Sequence, residues 1–213
     1  IVFRTSMANG AYGLVNDGAA FRGYSYLLVV DGYGCMCTVL FDSFNDIRQC
    51  LDKTKRIFAE LMPLDIQDPQ PAGGVGTFTF PGRFRRGKTL YAGEAAGLQD
   101  LLWGFGMRSA ITSGYLAARS IMNGEDYQQV AQRLFDPRLK ASLVSRYLWE
   151  KFGRNSYAMI MDRIDRARDP LAFLHSFHNF NWLQRLIYPF ALRFCRQRYH
   201  SLLTGEVEEA DRV

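Results

Sequence analysis

The chain has 213 residues, 48% of them hydrophobic and 14% aromatic, which is ample for a packed core and excludes a polar, disordered polymer. No run of 18 uninterrupted apolar residues occurs, so no spanning helix is expected, and no signal-peptide pattern is visible. The net charge of +5 is uneven: residues 1–136 balance at 13 basic and 13 acidic, whereas residues 137–200 hold 12 basic against 4 acidic, mostly arginine. Polyanions or an anionic membrane surface are the partners such a stretch invites.

The chain starts at Ile1 inside a strand-like run, so a fragment or a processed product is expected. Cys35, Cys37, Cys50 and Cys195 are too few and too scattered for a disulfide framework, and a reducing cytoplasm is the simpler setting. Cys35-x-Cys37 has no second pair to complete a metal site, which favours buried thiols.

In chain order, residues 11–16 read as a strand of weak pattern. "YSYLLVV" (24–30), "DGYG" and "CMCTVLF" (35–41) make a strong hairpin signal. Ser43 or Asn45 is placed to cap a helix running to about Met62, with Ile47, Leu51, Ile57, Phe58 and Leu61 on or near one face. "GGVGTFTF" (73–80) reads as the start of another strand, followed by the turn "PGRFRRGK"; "TLYAG" (89–93) is a short strand. Helical periods then cover 107–122, 126–135, 138–153, about 155–167, 170–179 and 182–203. Strands first and helices afterwards predict an α+β fold with an antiparallel or mixed sheet. The expected organisation is a sheet with one helix over 1–88, a glycine loop and helix over 89–124, and a helical region over 125–213. "GGVG" and "GYG" lack G-x-G-x-x-G spacing, so a dinucleotide-binding βαβ unit is missing.

The segment "LYAGEAAGLQDLLWGFGMRSAITSGYLAARSI" (90–121) carries the chemistry. Gly93, Gly97, Gly104 and Gly106 punctuate a loop that runs into a helix whose first turn has no acid. Such a start presents unpaired N–H groups at the positive end of the helix dipole, favouring an anionic or electron-rich group there. Glu94, directly after Gly93, is placed to accept hydrogen bonds from the hydroxyls of a polyol. Gly106, Ala110, Ser113, Gly114 and Ala117 form one small-residue face, which is either core packing or a close approach to another element.

"AGEAAGLQDLLWGFGM" resembles the second flavin-binding motif of the p-hydroxybenzoate-hydroxylase-type FAD oxidoreductases, G-D-A-A-G followed by G-x-G-[ILM]. Within them it is most similar to the geranylgeranyl reductases. Gly93, Ala95, Ala96, Gly97, Gly104, Gly106 and Met107 match, and "A-x-x-S-G-x-x-A-A" follows at 110–118. The resemblance implies FAD held by Gly93, Glu94, Ala95, Gly97, Gly104, Phe105, Gly106 and Met107, with the helix start facing the flavin pyrimidine edge. Glu94 stands where the family has Asp, and Leu101 where it has Pro. "GYSYLLVVDGYG" (23–34) resembles the reductases' Y-x-W-x-F-P strand, so Tyr24, Tyr26 and Leu28 are implied to line the substrate cavity. The resemblance spans about residues 1–125 and lacks the family's N-terminal Rossmann half. The small face of the 107–122 helix is therefore expected to be exposed, awaiting that half, and FAD is expected to bind these residues weakly or not at all without it.

His175 and His178 in "FLHSFHNFNWL" have no acidic or cysteine partner at ligand spacing, so no metal is expected. No hydrolase motif is present. "RFRRGK" (83–88) reads as a solvated turn, or as a landing point for phosphates of NADPH or a phospholipid. Residues 181–200 mix aromatics with arginines, which suits an interfacial membrane helix as well as a core-packed terminal one. The function implied is an FAD-dependent oxidoreductase, part of a longer protein, reducing double bonds of an isoprenoid or other lipid. NAD(P)H or another donor supplies the electrons. A monooxygenase or halogenase of the same superfamily, or a non-catalytic basic module at a lipid interface, are the alternatives. The catalytic residues are unknown, nucleic acid is not an expected partner, and the expected location is the cytoplasm, with or without peripheral membrane attachment.

Overall fold

The computed structural model describes residues 1–41, 44–76, 78, 80, 82–176 and 179–199, with backbone alone over 153–160. The fold is α+β, and the chain divides into two compact units, Ile1–Val75 and Gly76–Val213.

The first unit is an antiparallel five-stranded sheet with one helix. Its strands are β1 (Val2–Arg4), β2 (Gly10–Leu14), β3 (Tyr24–Val30), β4 (Tyr33–Val39) and β5 (Gln67–Gln70), in the order β2-β3-β4-β1-β5. The β3–β4 hairpin forms as the β-rich runs require, with Val30 opposite Tyr33. Its two turn residues, Asp31 and Gly32, sit at φ 48° and 81°. That double left-handed turn follows the twist of the strands, and glycine takes the second position without strain. Asn9 secures the first: its carbonyl oxygen accepts from Asp31 N at 2.8 Å, and its amide donates to Asp31 Oδ1 at 3.1 Å.

Strand alternation splits the sheet into two faces. Ser25, Leu27 and Val29 of β3 and Met36 and Thr38 of β4 are buried on the side that meets α1 (Ile47–Leu61). Phe3, Leu27, Val29, Met36 and Phe58 form the core. The buried stripe of α1 is Cys50, Thr54 and Phe58, while Ile47 and Leu61 are exposed, unlike the expected stripe. The reason is polar. Thr54 Oγ1 lies 2.8 Å from both Ser25 Oγ and Thr38 Oγ1, so this hydroxyl is satisfied inside the core. Asn45 lies in a 3-10 turn, Phe44–Asp46, and no side chain caps α1; Ser43 lies outside the described residues.

The second unit begins at Gly76, not at residue 89, because Phe80 and Phe84 are buried in its core with Leu98, Leu101 and Phe135. The expected strand over 73–80 is absent from the described residues of that stretch. Instead β6 (Arg85–Arg86) and β7 (Thr89–Leu90) form a small hairpin with Arg85, Arg86 and Lys88 exposed. A 3-10 turn (Gly93–Ala96) and a loop lead to α2 (Met107–Asn123), which ends at Gly124 with φ 70°.

Residues expected to form three separate helices form one, α3 (Tyr127–Asp165), capped by the Asp126 carboxylate on Gln128 N and Gln129 N. Pro137 lies inside it. A helix-interior proline costs about 3 kcal/mol, and burial on both sides of it offsets this. Ala131 and Phe135 precede the proline in the core, and Leu139, Leu143 and Val144 follow. The short α4 (Pro170–Ser176) and α5 (Trp182–Arg198) complete the unit, with Ala191 and Cys195 of α5 in the same core.

Candidate functional site

The strand-to-helix connection from Tyr91 to α2 is built around four glycines. Gly93 sits at φ 58° and Gly97 at φ 73°, positions that close the 3-10 turn. The Gly93 N–H donates to Ser113 Oγ at 2.9 Å, and a Cβ on Gly93 would lie 3.1 Å from Ala110 Cβ. Ser113 in turn donates to Ala110 O at 3.0 Å. The glycine turn and α2 are thus locked together by one buried hydroxyl.

Asp100 organises the loop between them. Its Oδ1 accepts from Leu102 N and Trp103 N at 2.9 Å each, and its Oδ2 accepts from Phe105 N at 3.0 Å. Its own carbonyl accepts from Gly104 N at 2.9 Å. Gly104, at φ 77°, turns the chain toward α2. The expectation that the loop N–H groups lie open is therefore corrected, since Asp100 takes most of them. What stays uncapped is the helix start: Gly106 precedes α2 with no side-chain cap, and the first turn carries no acid. Gly106 has φ −135°, an ordinary backbone, and a Cβ there would lie 3.2 Å from Gln99 Cγ.

The other residues implied to hold flavin lie along the same connection. Glu94, Ala95, Phe105 and Met107 are exposed, Gly93 and Gly97 are buried, and Gly104 and Gly106 are half-buried. The small face of α2 is not the exposed one. Ser113 is buried, Ala110 meets Gly93, and Ala117 packs on the core that Tyr127 and Leu139 help to form. The exposed side carries Met107, Ile111, Tyr115, Ala118 and Met122 at helical spacing, with Arg108 at its border, while a Cβ on Gly114 would touch nothing. Serines inside and aliphatics outside invert the usual pattern, because Ser113 is needed by Gly93.

Helix α3 holds both ends of the connection. On one side the Tyr127 hydroxyl donates to Tyr91 O at 2.8 Å, and burial raises its pKa. On the other, Leu101 N donates to Ser142 Oγ at 3.2 Å, and Arg146 Nη1 reaches Leu102 O at 3.5 Å. The Trp103 and Trp149 rings meet edge-on at 4.8 Å. Arg146 is itself buried and paired with Glu150 at 2.7 Å, and the Tyr199 hydroxyl bonds both. Sequence reasoning missed Asp100, Ser142, Arg146, Glu150 and Tyr199. Two signals were available: an aspartate four residues before Gly104, and a charged i, i+4 pair within an apolar helix face.

Tyr24, Tyr26 and Leu28 belong to the first unit, on the sheet face opposite α1. The Tyr24 and Tyr26 rings stack at 6.2 Å, Tyr26 stands opposite Cys37 and Gly13, and Leu28 opposite Cys35 and Ala11. Burial, and next a hydrogen bond with Cys37, push the Tyr26 phenol well above its ordinary value, so it is a neutral apolar wall element at physiological pH. Cys35 and Cys37 are half-buried free thiols; Cys50 and Cys195 are buried ones. Among the described residues no group of three or more His, Cys, Asp or Glu is suited to a metal ion, and no helix is long and apolar enough to cross a membrane. His178 lies outside the described residues. No protein-family model matches the chain, and no match was found among curated proteins or solved structures.

Proposed function

We propose that this chain supplies the flavin-ring side and the substrate sheet of an FAD-dependent oxidoreductase that reduces double bonds of an isoprenoid or other lipid. One observation carries the reading: the uncapped, acid-free start of α2, reached through Gly104 and Gly106 and fixed beside the Gly93–Ala96 turn by Ser113. Helix N–H groups at that end stabilise negative charge, which the pyrimidine edge of a reduced flavin carries. Bound there, FAD would supply hydride transfer, with NAD(P)H or a similar donor as the source of electrons. The protein's part is to bind and orient. Glu94, exposed directly after Gly93, would be the residue nearest the flavin's hydroxylated chain, and Asp100 keeps the loop rigid by accepting from the loop's N–H donors. The stacked Tyr24–Tyr26 pair and Leu28 offer a flat, largely apolar wall suited to a prenyl chain. The ADP end of FAD would be held by a further half of the protein, for which the largely apolar outer side of α2 is a fitting surface.

The test is the visible absorption spectrum of the natural full-length protein that carries this sequence. Flavin bands that bleach with NAD(P)H and return on adding a polyprenyl substrate support the reading. A colourless protein that takes up no FAD on reconstitution overturns it.

A further inference from the structure

Helix α5 has two unlike sides. Ala191 and Cys195 are fully buried, and Ile187, Leu192 and Phe194 pack around them. The outer side of its first half is also apolar: Trp182 is 73% exposed, Leu186 62% and Phe190 68%. A helix that only caps a core would carry polar groups there. Asn181 caps the helix on Gln184 N, which holds Trp182 in the first turn. α5 contains four arginines and no acidic residue, and Arg185, Arg193 and Arg196 are exposed. Large apolar side chains ringed by arginine match a surface that is both greasy and negative. We infer that the outer side of α5 docks on an anionic lipid bilayer, with Trp182, Leu186 and Phe190 entering the headgroup–acyl boundary and Arg193 and Arg196 on lipid phosphates.

Charge decides against the nearest rival occupant. A second copy docking through this same side would bring four more arginines and no acidic residue of α5, so the like charges gathered there would find no partner on the helix. An interfacial helix has no such conflict, since its binding sums buried apolar area and attraction to anionic lipid. This inference is independent of flavin binding.

Vesicle flotation with the full chain tests it, comparing phosphatidylcholine with phosphatidylcholine containing phosphatidylglycerol. Binding is expected only with the anionic lipid, weakening with salt, and quenching by bromolipid is expected to be lost in Trp182→Phe. Arg193→Gln with Arg196→Gln should lower partitioning about thirtyfold, taking each near-surface arginine at its usual strength. Leu186→Gln with Phe190→Gln, both outside the core, should abolish it with an unchanged circular dichroism spectrum. No flotation at any composition overturns the inference, as does flotation that these variants leave intact. A dimer dissolved by the Leu186 and Phe190 changes, or salt-sensitive binding to an oligonucleotide without vesicle binding, overturns it equally.

Discussion

Arg146 and Glu150 form an ion pair at 2.7 Å with both side chains only 2% exposed, and the pair is completed by the Tyr199 hydroxyl and by Leu102 O. One helix turn thereby ties the end of α5 to the loop before α2. Breaking such a pair leaves an uncompensated charge, so Glu150→Ala should lose about 3–5 kcal/mol of stability. Joint replacement, Arg146→Met with Glu150→Leu, should cost far less. Urea unfolding of the three proteins decides, and equal losses for single and joint variants would contradict the argument.

Cys195 lies in the same neighbourhood, and burial pushes its thiol up to about 12, against the lowering influence of Arg146. Little thiolate exists near neutrality, and the thiolate is the nucleophile. Alkylation should label the half-buried Cys35 and Cys37 first and reach Cys195 only at the rate of unfolding. Mass spectrometry of timed samples would show the order.

Asp100→Ala should leave the Leu102, Trp103 and Phe105 N–H groups without their acceptor. An orphaned donor costs about 1–3 kcal/mol where it is buried. The Leu102 and Trp103 bonds are half-buried and the Phe105 bond is exposed, so the loss should lie at the low end. Hydrogen exchange should accelerate at these three amides while Gly93 stays protected through Ser113. Uniform acceleration across the unit would show that Asp100 holds no local structure.

Asp65 accepts from Ser6 N and Ser6 Oγ at 2.7 Å each, and from Gln67. These bonds hold its pKa below the ordinary value of 3.8, the Ser6 backbone bond first. A depressed folded value adds stability that is complete above the unfolded value and vanishes as pH falls through the folded one. Asp65→Asn should therefore lower the melting temperature near neutrality slightly and not below both values. A difference that persists in strong acid would point to another cause.

The flavin reading predicts a separation at Gly106. Its φ of −135° is not left-handed, so Gly106→Val chiefly adds bulk beside Gln99. In the natural full-length protein the variant should keep its fold and lose flavin. Gly104, at φ 77°, behaves differently: Gly104→Ala should cost about 1 kcal/mol in stability whatever the loop binds. Retained flavin in Gly106→Val, with a lowered melting temperature, would assign the glycine to packing.

The hairpin of β3 and β4 was legible because alternation and Asp31-Gly32 agree locally. The helix after Gly106 was legible because a glycine marks each end. β5 was not, since "QDPQ" has no strand character and is ordered only by pairing with β1 at the sheet edge. The continuity of α3 through Pro137 was hidden for a similar reason, as core contacts from residues distant in sequence decide it. In the candidate site, glycine spacing showed where the loop lies. Its rigidity depends on Asp100, Ser142 and Arg146, whose roles arise only when α3 lies alongside.

Helix α3 also sets a tolerance to change in length. Tyr127 holds the strand side of the glycine connection, at Tyr91, and Ser142 and Arg146 hold the loop side, at Leu101 and Leu102. A helix advances about 1.5 Å and turns about 100° per residue. One residue added or removed between Tyr127 and Ser142 would swing one anchor to a different side of the helix and release it. The chain can therefore absorb insertions in the exposed turn at Gly87 and Lys88, but the stretch 127–146 is a gauge whose residue count is fixed.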